Sequence, residues 1–261
     1  MYRASIVVPL LIQRDAWLRQ CLLSAALQTA SSEVIVVTSP RTPPSNHRVL
    51  ADLKQRHRNL RVFLRPPNTA FAGALNAGIR AASTTRIGFL LSDDWLDDTA
   101  VAECLQFSSD IVSTGVKVYS ADGITKLGEV VLNFVDYHAQ STLGDKANYL
   151  KYFFLFRKER LFEVGGVDET VGLTGPDDFD LIWTLLEHGA TVSVLSRPLY
   201  NCRDHFGQRL TLRKRSHQVL DLLKILDKHG IQGDERRRLI AHHSIAYGQP
   251  WHVSERLRER R

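Results

Sequence analysis

Short apolar runs alternate with helical patterns over the first third of the chain. Continuous runs of Ile, Val, Leu and Phe suit strands that are buried on both faces, as in a parallel sheet. The pattern predicts strands at Ser5–Leu11, Glu33–Val37, Leu60–Leu64 and Arg86–Leu91. Three helical patterns lie between these strands. The first begins at Asp15, the second runs to about Arg58, and the third spans Ala72–Ala82. This alternation predicts an α/β fold with a doubly wound, mostly parallel central sheet flanked by helices.

The pattern is less regular in the second half of the chain. It predicts helices at 98–107, 159–164 and 175–187, strands at 111–114 and 191–195, a hairpin that pairs 117–119 with 129–132, and an aromatic strand at 149–156. Two amphipathic helices are expected at Ser216–His229 and Asp234–Tyr247. We therefore divide the chain into a main domain, residues 1–211, with halves at 1–97 and 98–211, and a helical C-terminal extension, residues 212–261.

The positive charge of the chain is concentrated in the C-terminal extension. The net charge is +6, and the segment Leu212–Arg261 carries 12 Lys and Arg against 6 Asp and Glu, so the first 211 residues are neutral overall. Such a segment suits an acidic membrane surface, an anionic substrate or a second copy of the chain. The alternative is a solvated helical face with a basic tail. No basic pattern interleaved with aromatic residues indicates nucleic-acid binding.

The remaining totals favour an ordinary globular protein. No apolar run approaches the ~20 residues that span a bilayer, and the first residues are too short and too strand-like for a signal peptide. We therefore expect a cytoplasmic protein, with peripheral membrane contact as the variant. Cys21, Cys104 and Cys202 are odd in number and widely spaced, which favours buried thiols over a metal site or a disulfide framework.

Two adjacent carboxylates, Asp93 and Asp94, follow the strand that ends near Leu91. In an open α/β sheet, ligands bind at the carboxyl ends of the strands. A carboxylate pair there suits a divalent cation and a phosphate, because buried carboxylates need a partner charge. The alternative is a solvated turn or a helix N-terminus, since Ser and Asp are both good helix caps. These residues alone do not decide between the two interpretations.

Several segments in order resemble glycosyltransferase family 2, whose members have the GT-A fold. The resemblance runs from about Ser5 to Thr211. Its segments are the opening S-I-V-V-P with the helix C-L-L-S-A-A-L-Q-T, the N-x-G-x-x-x-A-x-N-x-G pattern at Asn68–Gly78, the G-G-F-D-E turn at Gly165–Glu169, the G-E-D-x-D-L segment at Gly175–Leu181, and the P-L-x-x-Y-R-x-H segment at Pro198–His205.

The chain also departs from the family pattern at four places. Thr38 lies near the end of the second strand, where the family has an Asp that contacts the base of the nucleotide. Leu91 replaces the first Asp of the Asp-x-Asp motif, and Ala70 replaces a Gly. Leu10-Leu11 stands where the family has a polar and aromatic pair. Direct carboxylate recognition of uracil is therefore not expected.

The resemblance implies transfer of a sugar from a nucleotide-diphosphate donor to a hydroxyl of a saccharide, lipid-linked or small-molecule acceptor. It implies a divalent cation, Mg²⁺ or Mn²⁺, at Asp94, with Asp93 beside it and His205 as a third ligand. It implies Asp178 as general base in an inverting reaction, with Asp177 orienting the acceptor. The donor would contact residues along the strand ends: Pro9, Thr38, Asn68, Asn76, Ser92, Asp93, Trp95 and Arg203.

Each of these assignments has a structural alternative. Asp177 and Asp178 could cap a helix, His205 could be a surface histidine, and Arg203 a surface ion pair. Asp168, Asp180 and Trp183 are expected to be structural. At the level of the whole protein, one alternative is a non-catalytic binding or scaffold protein with the same fold. A sugar nucleotidyltransferase is less favoured, because residues 10–15 lack the glycine-rich phosphate loop such enzymes require.

Overall fold

The computed structural model describes the chain except residues 68, 152, 172–176, 206–214 and 249–261, and it describes the backbone alone at 215–218 and 243–248. Asn68 thus lies outside the described residues. The strands are β1 (Ala4–Leu10), β2 (Ser32–Thr38), β3 (Leu60–Leu64), β4 (Arg86–Phe89), β5 (Trp95–Leu96), β6 (Ile111–Tyr119), β7 (Lys126–Val130), β8 (Phe154–Arg157) and β9 (Val192–Arg203). The helices are α1 (Asp15–Ala26), α2 (Pro44–Arg56), α3 (Phe71–Ala81), α4 (Ala100–Cys104), α5 (Phe134–His138), α6 (Leu143–Tyr149), α7 (Lys158–Glu163), α8 (Asp177–Glu187), α9 (Arg215–Lys228) and α10 (Gly233–Gly248).

All described strands belong to one sheet, in the order β3-β2-β1-β4-β8-β6-β9-β5, with β7 paired to β6. β3, β2, β1 and β4 are parallel, which confirms the prediction for the first half of the chain. β8 runs antiparallel to both β4 and β6, whereas β9 runs parallel to β6. The second half of the sheet is therefore mixed, and it places the end of β9 beside the segment that follows β4.

Several elements from β5 onward differ from the expectation. β9 extends to Arg203 rather than ending at Leu195, because it continues along β6 past register shifts near Gly115. The aromatic segment 149–156 is divided, since α6 ends at Tyr149 and β8 begins only at Phe154. The two-residue strand β5, which the pattern does not predict, forms by pairing with β9 at Trp95↔Asn201 and Leu96↔Tyr200.

The apolar runs of the inner strands are explained by helices on both faces of the sheet. Ile6 and Val8 of β1 point into one buried cluster, whereas Val7 points into the other. Helix α3 packs so closely on β1 that a Cβ at Gly78 would lie 2.2 Å from Val7 Cγ1. Gly78 therefore serves helix–sheet packing, which is one reason for a glycine inside a helix.

The C-terminal helices pack against the main domain. Leu222, Ile225 and Leu226 of α9 are fully buried, and Leu239 of α10 is 1% exposed. They join the same apolar cluster as α8, with Leu181 and its neighbours. The described part of the extension therefore has a buried face and is not a solvated helix. None of the described helices combines the length and apolar character that a membrane span requires.

Asn76 fixes the turn between α7 and α8 to helix α3. Its Nδ2 donates to Val167 O at 2.8 Å and to Glu169 Oε1 at 3.0 Å, and its Oδ1 accepts from Val167 N at 2.9 Å. Gly166 has φ +82°, and a Cβ there would lie 2.4 Å from Asn76 Oδ1. Asn76 and the Gly-Gly turn thus form one structural unit, and a donor contact through Asn76 stays a prediction.

We expect Asn76→Ala to lower the free energy of unfolding by about 2–3 kcal/mol, because it leaves the buried Val167 amide and carbonyl without partners. Urea denaturation measures this difference. Gln55→Ala, on the exposed face of α2, is the control and should change stability by less than about 0.5 kcal/mol. A loss below about 1 kcal/mol in Asn76→Ala would show that the turn does not depend on this side chain.

Candidate active site

The candidate site lies where the carboxyl ends of β1 and β4 meet the end of β9. β4 ends at Phe89, and residues 90–94 turn before β5 begins at Trp95. Because β5 pairs with β9 near Tyr200, the two carboxylates of the turn face the last residues of β9. The sheet therefore brings Asp93 and Asp94 together with Tyr200, Arg203 and His205, which lie more than a hundred positions later in the chain.

Asp94 is a buried carboxylate whose two oxygens are both hydrogen-bonded. The side chain is 4% exposed; its Oδ2 accepts from the Tyr200 hydroxyl at 2.6 Å and its Oδ1 from Arg203 N at 2.7 Å. The same hydroxyl accepts from Leu91 N at 3.4 Å. Burial and the charge of Asp94 raise the pKa of Tyr200, so the hydroxyl stays protonated and keeps donating. Asp94 thereby fixes the end of β9 to the turn after β4.

Asp93 lies nearer the surface and faces His205. Its side chain is 20% exposed, and its Oδ2 lies 2.9 Å from Nε2 of His205. The His205 ring packs on Trp17 of α1 with ring centroids 4.6 Å apart. At this separation one cation could be bound by both the carboxylate oxygen and the imidazole nitrogen.

Arg203 is buried inside the site rather than at its surface. The residue is 1% exposed, and its guanidinium lies between Trp17 and Trp95, at 4.8 and 4.9 Å from the ring centroids. It donates to the backbone oxygens of Asp93 and Ala121, both at 3.0 Å, and to Gln20. Arg203 thus joins the acidic turn to α1 and to the β6–β7 hairpin. A diphosphate contact through this side chain stays a prediction.

The tip of the β6–β7 hairpin is shaped around that arginine. Gly123 has φ +72°, and a Cβ there would lie 2.4 Å from a guanidinium nitrogen of Arg203. Any other residue would be strained in its backbone and would also displace the guanidinium. The hairpin therefore covers one side of the site through a glycine turn.

Other predicted donor contacts lie along the same edge of the sheet. Pro9 and Thr38 are buried near the ends of β1 and β2, and the Thr38 hydroxyl donates to Phe63 O at 3.1 Å. Ser92 lies in the acidic turn, 3.4 Å from Gln13 Nε2. Leu91 is 42% exposed at the position where the resemblance places a carboxylate. The edge is thus partly apolar, next to the Asp93–His205 pair.

Asp177 and Asp178 form a second acidic pair in the first turn of α8. Asp177 is buried, and its pKa is raised well above the usual carboxyl range by burial and then by the charge of Asp178. Asp178 is exposed, yet its pKa is also raised, because neighbouring protein atoms desolvate it while Lys151 opposes the shift. Asp178 Oδ1 accepts from Phe179 N at 2.8 Å, so this carboxylate also satisfies one amide in the first turn of α8.

The described residues hold no cluster of three or more His, Cys, Asp or Glu side chains arranged as a metal site. Asp94, expected as the principal ligand, uses both oxygens within the protein. Asp93 and His205 offer two ligands at the edge of the site. One oxygen and one nitrogen ligand fit a transition-metal cation such as Mn²⁺ better than Mg²⁺, which prefers oxygen ligands; phosphate oxygens and water would complete the shell.

Three residues in this network were not identified from the sequence: Trp17, Gln20 and Tyr200. The apolar pattern of α1 placed Trp17 on a core face, and nothing in the pattern indicated a cation beneath it. Tyr200 lies in the segment that resembles the family's last motif, but its bond to Asp94 depends on strand pairing. Such contacts can be predicted only once the register of β5 and β9 is known.

The family model for glycosyl transferase family 2 matches residues 5–166. The chain belongs to glycosyltransferase family 2. Its match ends before α8, so Asp177, Asp178, Arg203 and His205 lie outside the matched residues. The family assignment therefore covers the acidic turn and leaves the roles of the later residues as proposals.

Two curated relatives are similar over most of the chain. One is the O-antigen biosynthesis protein RfbC of Myxococcus xanthus, 28% identical over 201 residues, which are 77% of this chain and 16% of that protein. The other is the uncharacterized glycosyltransferase EpsJ of Bacillus subtilis, 27% identical over 214 residues, which are 77% of this chain and 61% of that protein. This family 2 chain therefore spans less than two thirds of either relative.

Solved structures share the fold at low identity. A fragment of S. aureus TarS, residues 1–349, in complex with UDP-GlcNAc, has a TM-score of 0.62 and 18% identity, covering 86% of this chain and 66% of that one. The mannosyltransferase PcManGT of Pyrobaculum calidifontis, in complex with GDP-Man and Mn²⁺, has a TM-score of 0.62 and 17% identity, covering 95% and 70%. These likenesses confirm the GT-A fold.

We expect Tyr200→Phe to destabilise the protein by about 1–3 kcal/mol, because it leaves an oxygen of the buried Asp94 carboxylate without its hydroxyl donor. The loss should exceed that of Tyr2→Phe, a partly exposed tyrosine far from the acidic turn in sequence. Chemical denaturation of both variants measures the difference. Equal stability of Tyr200→Phe and the unsubstituted protein would contradict the assigned role of Asp94.

Proposed function

We propose that this family 2 chain transfers a hexose from a nucleotide-diphosphate donor to an acceptor hydroxyl, with inversion and with a divalent cation. The observation that carries the proposal is the Asp93–His205 pair, at 2.9 Å, held at the carboxyl edge of the parallel strands by the buried Asp94. This edge is where an α/β sheet binds its ligand. The family membership supplies the reaction class.

The donor and cation have support from two other proteins. TarS was solved with UDP-GlcNAc, and PcManGT with GDP-Man and Mn²⁺. In this chain, Asp93 and His205 would hold the cation. When bound, a divalent cation neutralises the charge that develops on the leaving diphosphate. Asp94 serves as the internal anchor that fixes Asp93 beside His205, so its carboxylate contributes through position.

Asp178 is our candidate for the general base. It would accept the proton of the acceptor hydroxyl while that oxygen bonds to the anomeric carbon and the bond to the diphosphate oxygen breaks. A single displacement of this kind inverts the anomeric configuration. A carboxyl whose pKa is raised is a better base near neutral pH than an ordinary one, provided it is ionised. Asp177 beside it would orient the acceptor.

The acceptor class remains broad: a saccharide, a lipid-linked sugar or a small molecule. The name of the M. xanthus relative favours a place in polysaccharide synthesis. Cytoplasmic location, peripheral membrane contact and self-association through the basic C-terminal segment stay proposals. A non-catalytic role has one specific observation in its favour, the exposed Leu91 in place of the motif's first carboxylate.

A panel of UDP-, GDP- and TDP-sugars with Mn²⁺ tests the proposal, with release of nucleoside diphosphate as the measurement. We expect turnover with at least one donor and its loss when the cation is chelated. Absence of turnover together with absence of donor binding by calorimetry would overturn the enzyme assignment and favour the binding-protein alternative.

For Asp178→Asn we expect transfer to fall by about 10³-fold, in the range that a general base contributes, with donor affinity unchanged. In the unsubstituted protein, kcat should fall as pH drops through the raised pKa of Asp178, because only the ionised base accepts a proton. That acidic limb therefore lies above the range of an ordinary carboxyl. Kinetics over pH and calorimetry of donor binding measure both effects.

The matched control is Asp98→Asn, an exposed carboxylate on the segment after β5. It should retain transfer. The Asp178→Asn variant should not unfold at a lower temperature than the unsubstituted protein. A raised carboxyl pKa makes the folded protein less stable as pH rises through that pKa, and the amide does not ionise. Transfer retained in Asp178→Asn, or a loss of donor affinity as large as the loss of rate, would contradict the base role.

A further inference from the structure

The end of helix α9 carries two adjacent side chains, Lys228 and His229, that face helix α8. Lys228 Nζ lies 2.7 Å from Asp180 Oδ2 and 3.1 Å from Asp168 Oδ2. His229 Nε2 lies 3.1 Å from Asp180 Oδ1. Asp180 is 1% exposed, so a buried carboxylate two positions after Asp178 has both its oxygens bound by the C-terminal segment.

His229 also contacts the rest of α8 along one face. Its ring stacks on Trp183 with centroids 4.3 Å apart and planes at 7°, and its Nδ1 lies 2.8 Å from Glu187 Oε1. Asp180, Trp183 and Glu187 are spaced by three and four residues, which places them on one side of a helix. Both ring nitrogens of His229 therefore lie within hydrogen-bond distance of a carboxylate on α8.

Lys228 pairs with one carboxylate in the turn before α8 and with one in α8 itself. Asp168 belongs to the turn that Asn76 holds against α3, and Asp180 belongs to the first turn of α8. One ammonium group therefore joins the end of that turn to the start of the helix that presents Asp177 and Asp178. Burial opposes the charged form of Lys228, but the two carboxylates raise its pKa overall.

We propose that Lys228 and His229 are positioning residues for the acidic pair at the start of α8, acting through Asp180. This inference rests on the proposed base role of Asp178. It gives the C-terminal extension a part in positioning the base, since both residues hold the helix turn that carries it and Lys228 pairs with the buried carboxylate of Asp180. Neither residue contacts the reacting groups in this account.

The charge balance makes the proposal testable apart from packing. The charge of Asp180 acts on Asp177 and raises its pKa, so a cation removed from Asp180 should increase that effect. The titratable and charged groups that face this cluster come from several elements: Asp168, Asp177, Asp178, Asp180, Glu187, Lys151, Lys228 and His229.

The test compares Lys228→Met, Lys228→Arg and His229→Gln in the full chain. We expect Lys228→Met to lower kcat by about tenfold or more, because misplacement of a catalytic group by a fraction of an ångström has effects of this size. KM for the donor should not change. The acidic limb of kcat should move to higher pH, because the uncompensated charge of Asp180 opposes ionisation of the acidic pair two and three positions before it. Lys228→Arg should restore both, and His229→Gln, which keeps one donor but loses the stacked ring, should fall between them.

Lys224→Met is the matched control, because Lys224 lies one turn earlier on α9 and pairs with Asp221 of the same helix. It should leave kcat and the pH profile unchanged. The side chain of Lys228 is 36% exposed and that of His229 only 1%, so Lys228→Met carries the test if His229→Gln does not fold.

Different results would overturn the positioning role of Lys228 and the base role of Asp178. Wild-type kcat and an unchanged pH profile in Lys228→Met, with Asp178→Asn inactive, would overturn the positioning role and leave the base standing. A parallel loss of kcat and donor affinity with no shift of the acidic limb would also overturn it, because that result indicates general structural damage. Activity retained in Asp178→Asn would overturn the base role itself.

Discussion

The arrangement of the site depends on one buried carboxylate, Asp94. An ionised group that is 4% exposed is costly unless its oxygens are bonded, and here they accept from Tyr200 and from the backbone of Arg203. Those bonds require the antiparallel pairing of β5 with β9. The same pairing brings His205 to Asp93 and places Arg203 between Trp17 and Trp95. The edge at which we propose that a cation binds thus follows from the hydrogen bonds that satisfy one buried carboxylate.

This dependence divides the acidic motif into two roles. Both oxygens of Asp94 accept hydrogen bonds within the protein, whereas Asp93 stays partly exposed beside the imidazole of His205. The exposed Leu91 then becomes less surprising, because the fold needs Asp94 and the proposed cation needs Asp93. What Leu91 changes is the surface offered to the donor, where an apolar side chain replaces a charge.

The sequence was sufficient for the parallel half of the sheet, because buried parallel strands leave continuous apolar runs such as those of β1 and β2. It was insufficient for β9 and β5, whose pairing spans about a hundred residues and leaves no local pattern. The same limit applied to the site. The position of Asp93 and Asp94 was predictable from the motif, but the partner of each oxygen was not. The basic C-terminal segment was predicted from charge, yet only the packing reveals that Lys228 and His229 are bound to Asp180.

In the proposed reaction, Asp93 and His205 together hold a divalent cation against the donor diphosphate. Pulsed electron paramagnetic resonance of Mn²⁺, bound in the presence of the nucleoside diphosphate that the donor panel selects, tests it most directly. The account predicts a nitrogen modulation from an imidazole ligand that disappears in His205→Gln, and loss of tight Mn²⁺ binding in Asp93→Asn. Tight Mn²⁺ binding with no nitrogen modulation, or with both variants unchanged, would contradict it.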